Sequence, residues 1–122
     1  MDDPKKILIV DDEASVRSAI KNAFSQKNIA ILGAKSGQEG LVIAFKEHPD
    51  LIILDYVMPM FDGIDFLKKI RDDKWGKNSK IVMLTNIPSP EKKKASEALG
   101  AEFLVKAQWR LEDLVKKCEK LV

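Results

Sequence analysis

Residues 50–63 read DLIILDYVMPMFDG, Asp50 to Gly63, and the fold follows from how this stretch changes character. Leu51 to Leu54 is an unbroken apolar run of strand length, the pattern of a strand buried on both faces, and it ends in one carboxylate, Asp55. Pro59 and the pair Asp62-Gly63 are turn formers, so a loop folds over Asp55 before the next helix begins. A buried strand that delivers one charge to the end of a sheet puts it where open parallel α/β sheets bind their ligands.

Working outward, the same pattern recurs. Lys5 to Val10 (KKILIV) is a second apolar run, and it too terminates in acid, Asp11-Asp12-Glu13. From Ala14 to Gln26 the apolar positions Val16, Ala19, Ile20, Ala23 and Phe24 fall on one helical face. Ile29 to Ala34 mixes small and apolar residues before Ser36-Gly37, which predicts a weaker strand at a sheet edge. Leu41, Ala44 and Phe45 mark a second helix, ended by Pro49. On the other side of the central stretch, Ile64, Leu67 and Ile70 give a third helix that stops in the polar segment Asp72 to Ser79. Lys80 to Thr85 is a strand finishing in a hydroxyl, and Ser89 as N-cap with Pro90 at the first helical position starts a fourth helix, closed by Leu99-Gly100. Glu102 to Val105 is a strand followed at once by Lys106, and Leu111 to Leu121 is a final amphipathic helix.

Strands and helices therefore alternate through the chain. Alternation at this spacing means an α/β fold, with parallel strands joined by right-handed helical crossovers and both sheet faces covered. The carboxyl ends of parallel strands share one edge, so Asp11, Asp12, Asp55, Thr85 and Lys106, which follow four of the five strands, are expected to converge there.

The bulk numbers frame what such a site does. A length of 122 residues accommodates one domain, and residues 1–122 are expected to form a single domain without an output domain, either standing alone or as part of something longer. Hydrophobic residues at 45% and charged residues at 33% are ordinary for a soluble globular protein, and no apolar run is long enough to span a bilayer. The N-terminal MDDPKK lacks the apolar core of a secretory signal, so the expected location is cytoplasmic. A net charge of +2, from 21 basic and 19 acidic residues, gives no reason to expect direct nucleic-acid binding. Its one local excess, Lys92 to Lys94, reads as a solvated helix face. The single cysteine, Cys118, excludes an internal disulfide and a cysteine-built zinc site, and it shares a helical stripe with Leu111, Leu114 and Val115, the setting of a buried packing thiol. The single histidine, His48, lies between Glu47 and Pro49 and reads as a solvated linker residue.

Three carboxylates in one small site repel: at about 5 Å and an effective dielectric near 20, each pair costs roughly 3 kcal/mol. A hard divalent cation bound through oxygen relieves this, and magnesium characteristically uses one or two carboxylates with waters and phosphate oxygens. Beside a metal, an aspartate can act as a nucleophile toward a phosphoryl group, a reaction that asks the protein mainly for positioning and charge neutralisation.

With the strand-ending Asp11-Asp12, the motif LDYVMPMFDG around Asp55, the strand-ending Thr85 and GAEFLVK with Lys106, the sequence resembles a response-regulator receiver domain of two-component signalling, chemotaxis-regulator-like, over essentially its whole length. The resemblance implies a flavodoxin-like (βα)5 fold with strand order 2-1-3-4-5. It implies that Asp55 accepts a phosphoryl group from a sensor histidine kinase, a histidine phosphotransfer protein or a small donor such as acetyl phosphate. It implies magnesium (Mg2+) held by Asp12 and Asp55, by Asp11 mostly through water, and by the backbone carbonyl of Val57. Lys106 and Thr85 then contact phosphoryl oxygens, and Phe103 occupies the aromatic switch position. The protein so implied is no enzyme beyond its own phosphorylation and dephosphorylation. It is a monomer or weak dimer that switches a surface formed by the fourth helix, fifth strand and fifth helix to control a downstream protein target, with no membrane association.

Three departures from the family pattern set further expectations. Ala107 stands where proline is usual, and because a non-proline cis bond costs roughly 3–4 kcal/mol, a trans Lys106-Ala107 bond and some displacement of Lys106 are expected. Asn86 replaces a small residue and either narrows access to the phosphate or contacts it. Val57 and Ile87 are both apolar and offer no polar aid to an attacking water, so dephosphorylation is expected to be slow. A flavodoxin would need a hydroxyl- and glycine-rich loop where Asp11-Asp12-Glu13 stands, and a haloacid-dehalogenase-like phosphatase a second acid at the place of Val57. The remaining alternative is a receiver-like interaction module that works without phosphorylation.

Overall fold

The structure, a computed structural model, describes residues 3–24, 28–56, 58 and 60–122. Along the chain come β1 (Lys5–Val10), α1 (Ala14–Ala23), β2 (Ile29–Ala34), α2 (Gly37–Glu47), β3 (Leu51–Asp55), α3 (Gly63–Asp72), β4 (Lys80–Thr85), α4 (Pro90–Ala98), β5 (Glu102–Val105) and α5 (Leu111–Leu121). All strand pairs are parallel, and their order is β2-β1-β3-β4-β5, the flavodoxin-like arrangement. β2 is an edge strand with mostly half-buried side chains, as its mixed composition predicts.

Side-chain alternation divides the core into two layers. Leu8, Val10, Ile52, Leu54, Ile81 and Met83 face the side covered by α2 and α3, where Ala44, Phe66, Leu67 and Ile70 meet them. Ile7, Ile9, Leu51, Ile53, Val82 and Leu84 face the opposite side, against Ile20 of α1 and Leu114 and Cys118 of α5. Continuous apolar runs in β1, β3 and β4 are thus explained by burial on both faces.

Local signals set the helix starts. Ser36 accepts a hydrogen bond from the Glu39 N–H, Asp62 from the N–H groups of Ile64 and Asp65, and Ser89 from that of Lys92, with Pro90 at the first position of α4. Several expectations need correction. α1 ends at Ala23 rather than Gln26, and Gln26 lies outside the described residues. His48 is not a free linker residue: it caps α2 in the left-handed region (φ 48°), and its ring, though the residue is exposed, stacks on Trp75 at 4.7 Å and 6°. Leu111 is 41% exposed, so the buried stripe of α5 is Leu114, Val115 and Cys118. The polar segment after α3 holds a short 3-10 turn, Gly76–Asn78, fastened by Arg71. The Arg71 guanidinium donates to the carbonyls of Gly76 (2.7 Å), Ser79 (2.7 Å) and Leu99 (2.6 Å), tying the turn to the end of α4. A Cβ at Gly76 would lie 2.0 Å from the Ile70 carbonyl oxygen, so the turn requires glycine there.

Two tests follow from the packing. Ser96 of α4 is fully buried and its Oγ has no hydrogen-bond partner among the described residues. Ser96→Ala is therefore expected to raise the free energy of unfolding by about 1 kcal/mol in urea titration, and an equal or lower midpoint contradicts this. Burial pushes the Cys118 thiol up to about 12, so it stays protonated in the native state. Iodoacetamide at pH 8 is expected to leave folded protein unmodified and to alkylate it in denaturant; rapid native alkylation contradicts a packing role.

Candidate functional site

Strand register brings the chemistry-bearing residues to one edge. Val10 pairs with Leu54, so the residues following them, Asp11 and Asp55, are neighbours. Asp55 pairs with Leu84, and Thr85 with Val105, which puts Thr85 and Lys106 at the same end of the sheet. Asp11, Asp55 and Thr85 are buried, and Asp12 is exposed. The carboxylate oxygens of Asp11, Asp12 and Asp55 lie within 4.8 Å of one another. Lys106 Nζ stands 3.6 Å from Asp11 Oδ2 and 3.7 Å from Asp55 Oδ2, an ion pair shared between two acids.

Each group is held by its surroundings. Asp11 Oδ1 accepts from the Glu13 N–H (2.9 Å), which turns the chain into α1, and the Asp11 carbonyl accepts from Arg17 Nη1 (2.6 Å). The Arg17 side chain passes close to Gly33, where a Cβ would meet it at 3.5 Å. Thr85 Oγ1 accepts from the Ile87 N–H (3.1 Å), which orients the hydroxyl in the β4–α4 loop. The Tyr56 N–H donates to the Leu84 carbonyl (2.8 Å), extending the β3–β4 pairing one residue past Asp55. Partial burial first, then the carboxylates of Asp62 and Asp65, raise the pKa of the Tyr56 hydroxyl. Phe103 is buried and meets Tyr56 edge-on, ring centroids 6.3 Å apart.

The structure thus brings Asp11, Asp12, Asp55 and Lys106 together, with Thr85 at the end of the adjacent strand. Val57 lies outside the described residues, as does Pro59. The Lys106-Ala107 bond is trans, as expected, but Lys106 still reaches both acids, so alanine does not carry the ammonium out of the site. Asn86 and Ile87 are exposed. The sequence pattern alone assigns no role to Tyr56 or Arg17. Arg17, a cation on the first turn of a helix that follows an acidic pair, was the available signal.

Three hard oxygen donors within reach of one another, one of them exposed to solvent, suit a hard divalent cation such as magnesium, which keeps part of its water shell. Lys106 lies within ion-pair reach of two of the three acids. With each like-charged pair costing roughly 3 kcal/mol and the lysine offsetting a comparable amount, the metal-free cluster carries a net repulsive strain. Asp55→Asn is therefore expected to raise thermal stability without divalent cations, by about 1–2 kcal/mol, and by less when magnesium is present. Destabilisation in metal-free buffer would show that Lys106 already balances the acids.

Residues 7–119 match the family model described as response regulator receiver domain. The chain is 35% identical to the chemotaxis protein CheY4 of Vibrio cholerae, with a TM-score of 0.85 over 98% of this chain and 99% of that one. It is 29% identical over 119 residues to the response regulator MprA of Mycolicibacterium vanbaalenii, 98% of this chain and 51% of the relative. It is 36% identical over 101 residues to the probable transcriptional regulator ycf27 of Guillardia theta, 83% of this chain and 39% of the relative. The chain spans about half the length, or less, of these two curated relatives.

Proposed function

The chain belongs to the response-regulator receiver family, and from that membership we propose that Asp55 is a phosphoacceptor whose modification switches a protein-contact surface. The observation that carries this reading is the meeting of Asp55 with Asp11, Asp12 and Lys106 at one edge of the sheet. Phosphoryl transfer needs a nucleophile, charge neutralisation and alignment, and these side chains supply all three.

In this reading an Asp55 carboxylate oxygen attacks phosphorus. The bond that breaks is phosphorus to nitrogen when the donor is the phosphohistidine of a kinase or phosphotransfer protein, and phosphorus to acyl oxygen when it is acetyl phosphate. Imidazole or acetate leaves, and the aspartyl phosphate remains. Asp12 and Asp55, with Asp11 through water and the Val57 carbonyl, would hold Mg2+, which when bound supplies Lewis-acid neutralisation of the phosphoryl oxygens. Lys106 pairs with one phosphoryl oxygen. Thr85, whose Oγ1 accepts from the Ile87 N–H, donates its hydroxyl proton to another, so that the β4–α4 loop is tied to the modification through this side chain. Phe103 and the face formed by α4, β5 and α5 carry the change to a downstream protein.

Residues 1–122 act as one receiver unit that catalyses only its own phosphorylation and dephosphorylation, as a monomer or weak dimer in the cytoplasm. Among the described residues no helix is long and apolar enough to cross a membrane. The name ycf27 carries, transcriptional regulator, belongs to a longer protein; the nearly balanced charge of this chain supports action by protein contact. The second reading, an interaction module that needs no phosphate, shares the fold but leaves the clustered acids without a task.

Intact-mass spectrometry after incubation with acetyl phosphate and magnesium separates the two. One acid-labile phosphoryl adduct is expected on wild type and none on Asp55→Asn; an unmodified wild type favours the contact module. Ile87 offers no polar group to an attacking water, so the adduct is expected to decay over many minutes, and decay within seconds contradicts this assignment.

A further inference from the structure

Tyr56 is the first residue beyond β3, and its backbone is bonded to Leu84, so it moves with Asp55. Three elements meet on its ring. Phe103 of β5 approaches edge-on at 6.3 Å and 69°. A Cβ at Gly63 would lie 3.0 Å from the ring, so the start of α3 is in close contact with it. Lys92 of α4 places its Nζ 4.6 Å from the ring centroid, within the range of a cation–π contact. Within the exposed run Lys92 to Lys94, Lys92 is thus engaged rather than simply solvated.

α4 is weakly seated. Its one buried residue is Ser96, whereas α3 buries Gly63, Phe66, Leu67 and Ile70. Ser96 lies one turn beyond Lys92, on the same side of the helix, and its hydroxyl has no hydrogen-bond partner among the described residues. A helix with so little apolar area and an uncompensated polar group on its buried side depends for its position on the few polar contacts it makes, Lys92 on the Tyr56 ring and Arg71 on the Leu99 carbonyl among them.

We propose that Lys92 is a positioning residue: it clamps the Tyr56 ring against Phe103 and so couples α4 to the state of Asp55. The inference rests on the phosphoacceptor reading and adds to it a coupling residue outside the acidic site. With the cation removed, the Tyr56 ring loses its partner on one face, Phe103 loses a fixed edge contact, and the buried orientation of Phe103 becomes less populated. If that orientation is the one compatible with a phosphoryl group at Asp55, the clamp prepays part of the switch, and its loss weakens binding of a phosphoryl mimic.

The test uses the full chain as wild type, Lys92→Met, which keeps the aliphatic stem, and Lys92→Arg, which keeps the cation. Aromatic NMR of the free protein reads the Phe103 ring, and titration with beryllium fluoride in magnesium reads the affinity for the mimic. In Lys92→Met the Phe103 resonances are expected to move toward solvent-exposed values and the affinity to fall about two- to fivefold, the range of an exposed cation–π contact. Lys92→Arg is expected to retain both. Unchanged Phe103 resonances in Lys92→Met overturn the clamp, and a shift of Phe103 with unchanged affinity overturns its coupling to Asp55. If wild type shows no magnesium-dependent binding of the mimic, the phosphoacceptor reading fails instead, and the Phe103 resonances alone decide whether the clamp exists.

Discussion

One ammonium between two buried acids is the interaction on which the site depends. Lys106 Nζ stands between Asp11 and Asp55, each at the end of a different strand and both shielded from water. A charge this buried is tolerated only with partners: Lys106 reaches both acids, and the Glu13 N–H also donates to Asp11. The balance is incomplete because Asp12 adds a third carboxylate. The fold therefore holds a site whose electrostatics are improved by an added cation, and the parallel register that aligns the strand ends makes this possible.

Strand ends were legible because their chemistry is local. A buried parallel strand reads as a short apolar run, and the first polar residue after it marks the sheet edge; β1, β3, β4 and β5 all begin and end where the composition changes. Ser89-Pro90 marked the start of α4 for the same reason, since a cap acts within one turn. The resemblance to receiver domains then supplied the roles that spacing alone left open. What stayed hidden depends on contacts between distant parts of the chain. Arg71 looks like any surface cation on α3, yet it bonds to Leu99, 28 residues away. The stacking of His48 on Trp75 and the seat of Lys92 on Tyr56 join residues on separate elements, and neither has a periodic signature. Leu111 fitted the helical stripe but is the first residue of α5 and stays 41% exposed.

Two helices on the same side of the sheet, α3 and α4, differ in how firmly they are held. α3 presents a continuous buried face, and Arg71 at its end fastens the following turn and the end of α4. α4 itself contributes almost no apolar area. Moving a two-state element from 1:99 to 99:1 takes about 5.5 kcal/mol of differential stabilisation, which a few charge-assisted contacts to a phosphoryl group can provide only if the moving part is lightly anchored. A lightly anchored helix beside a buried acidic site is the combination that such a switch requires.

The central claim is that Asp11, Asp12 and Asp55 form one cation site at the carboxyl edge of the sheet. Isothermal titration of wild type and Asp12→Asn with magnesium chloride tests it directly, because Asp12 is exposed and its replacement leaves the core intact. A single saturable site in wild type that is weakened at least tenfold in Asp12→Asn is the predicted result. Absence of saturable binding in wild type, or equal affinity in both proteins, would contradict it.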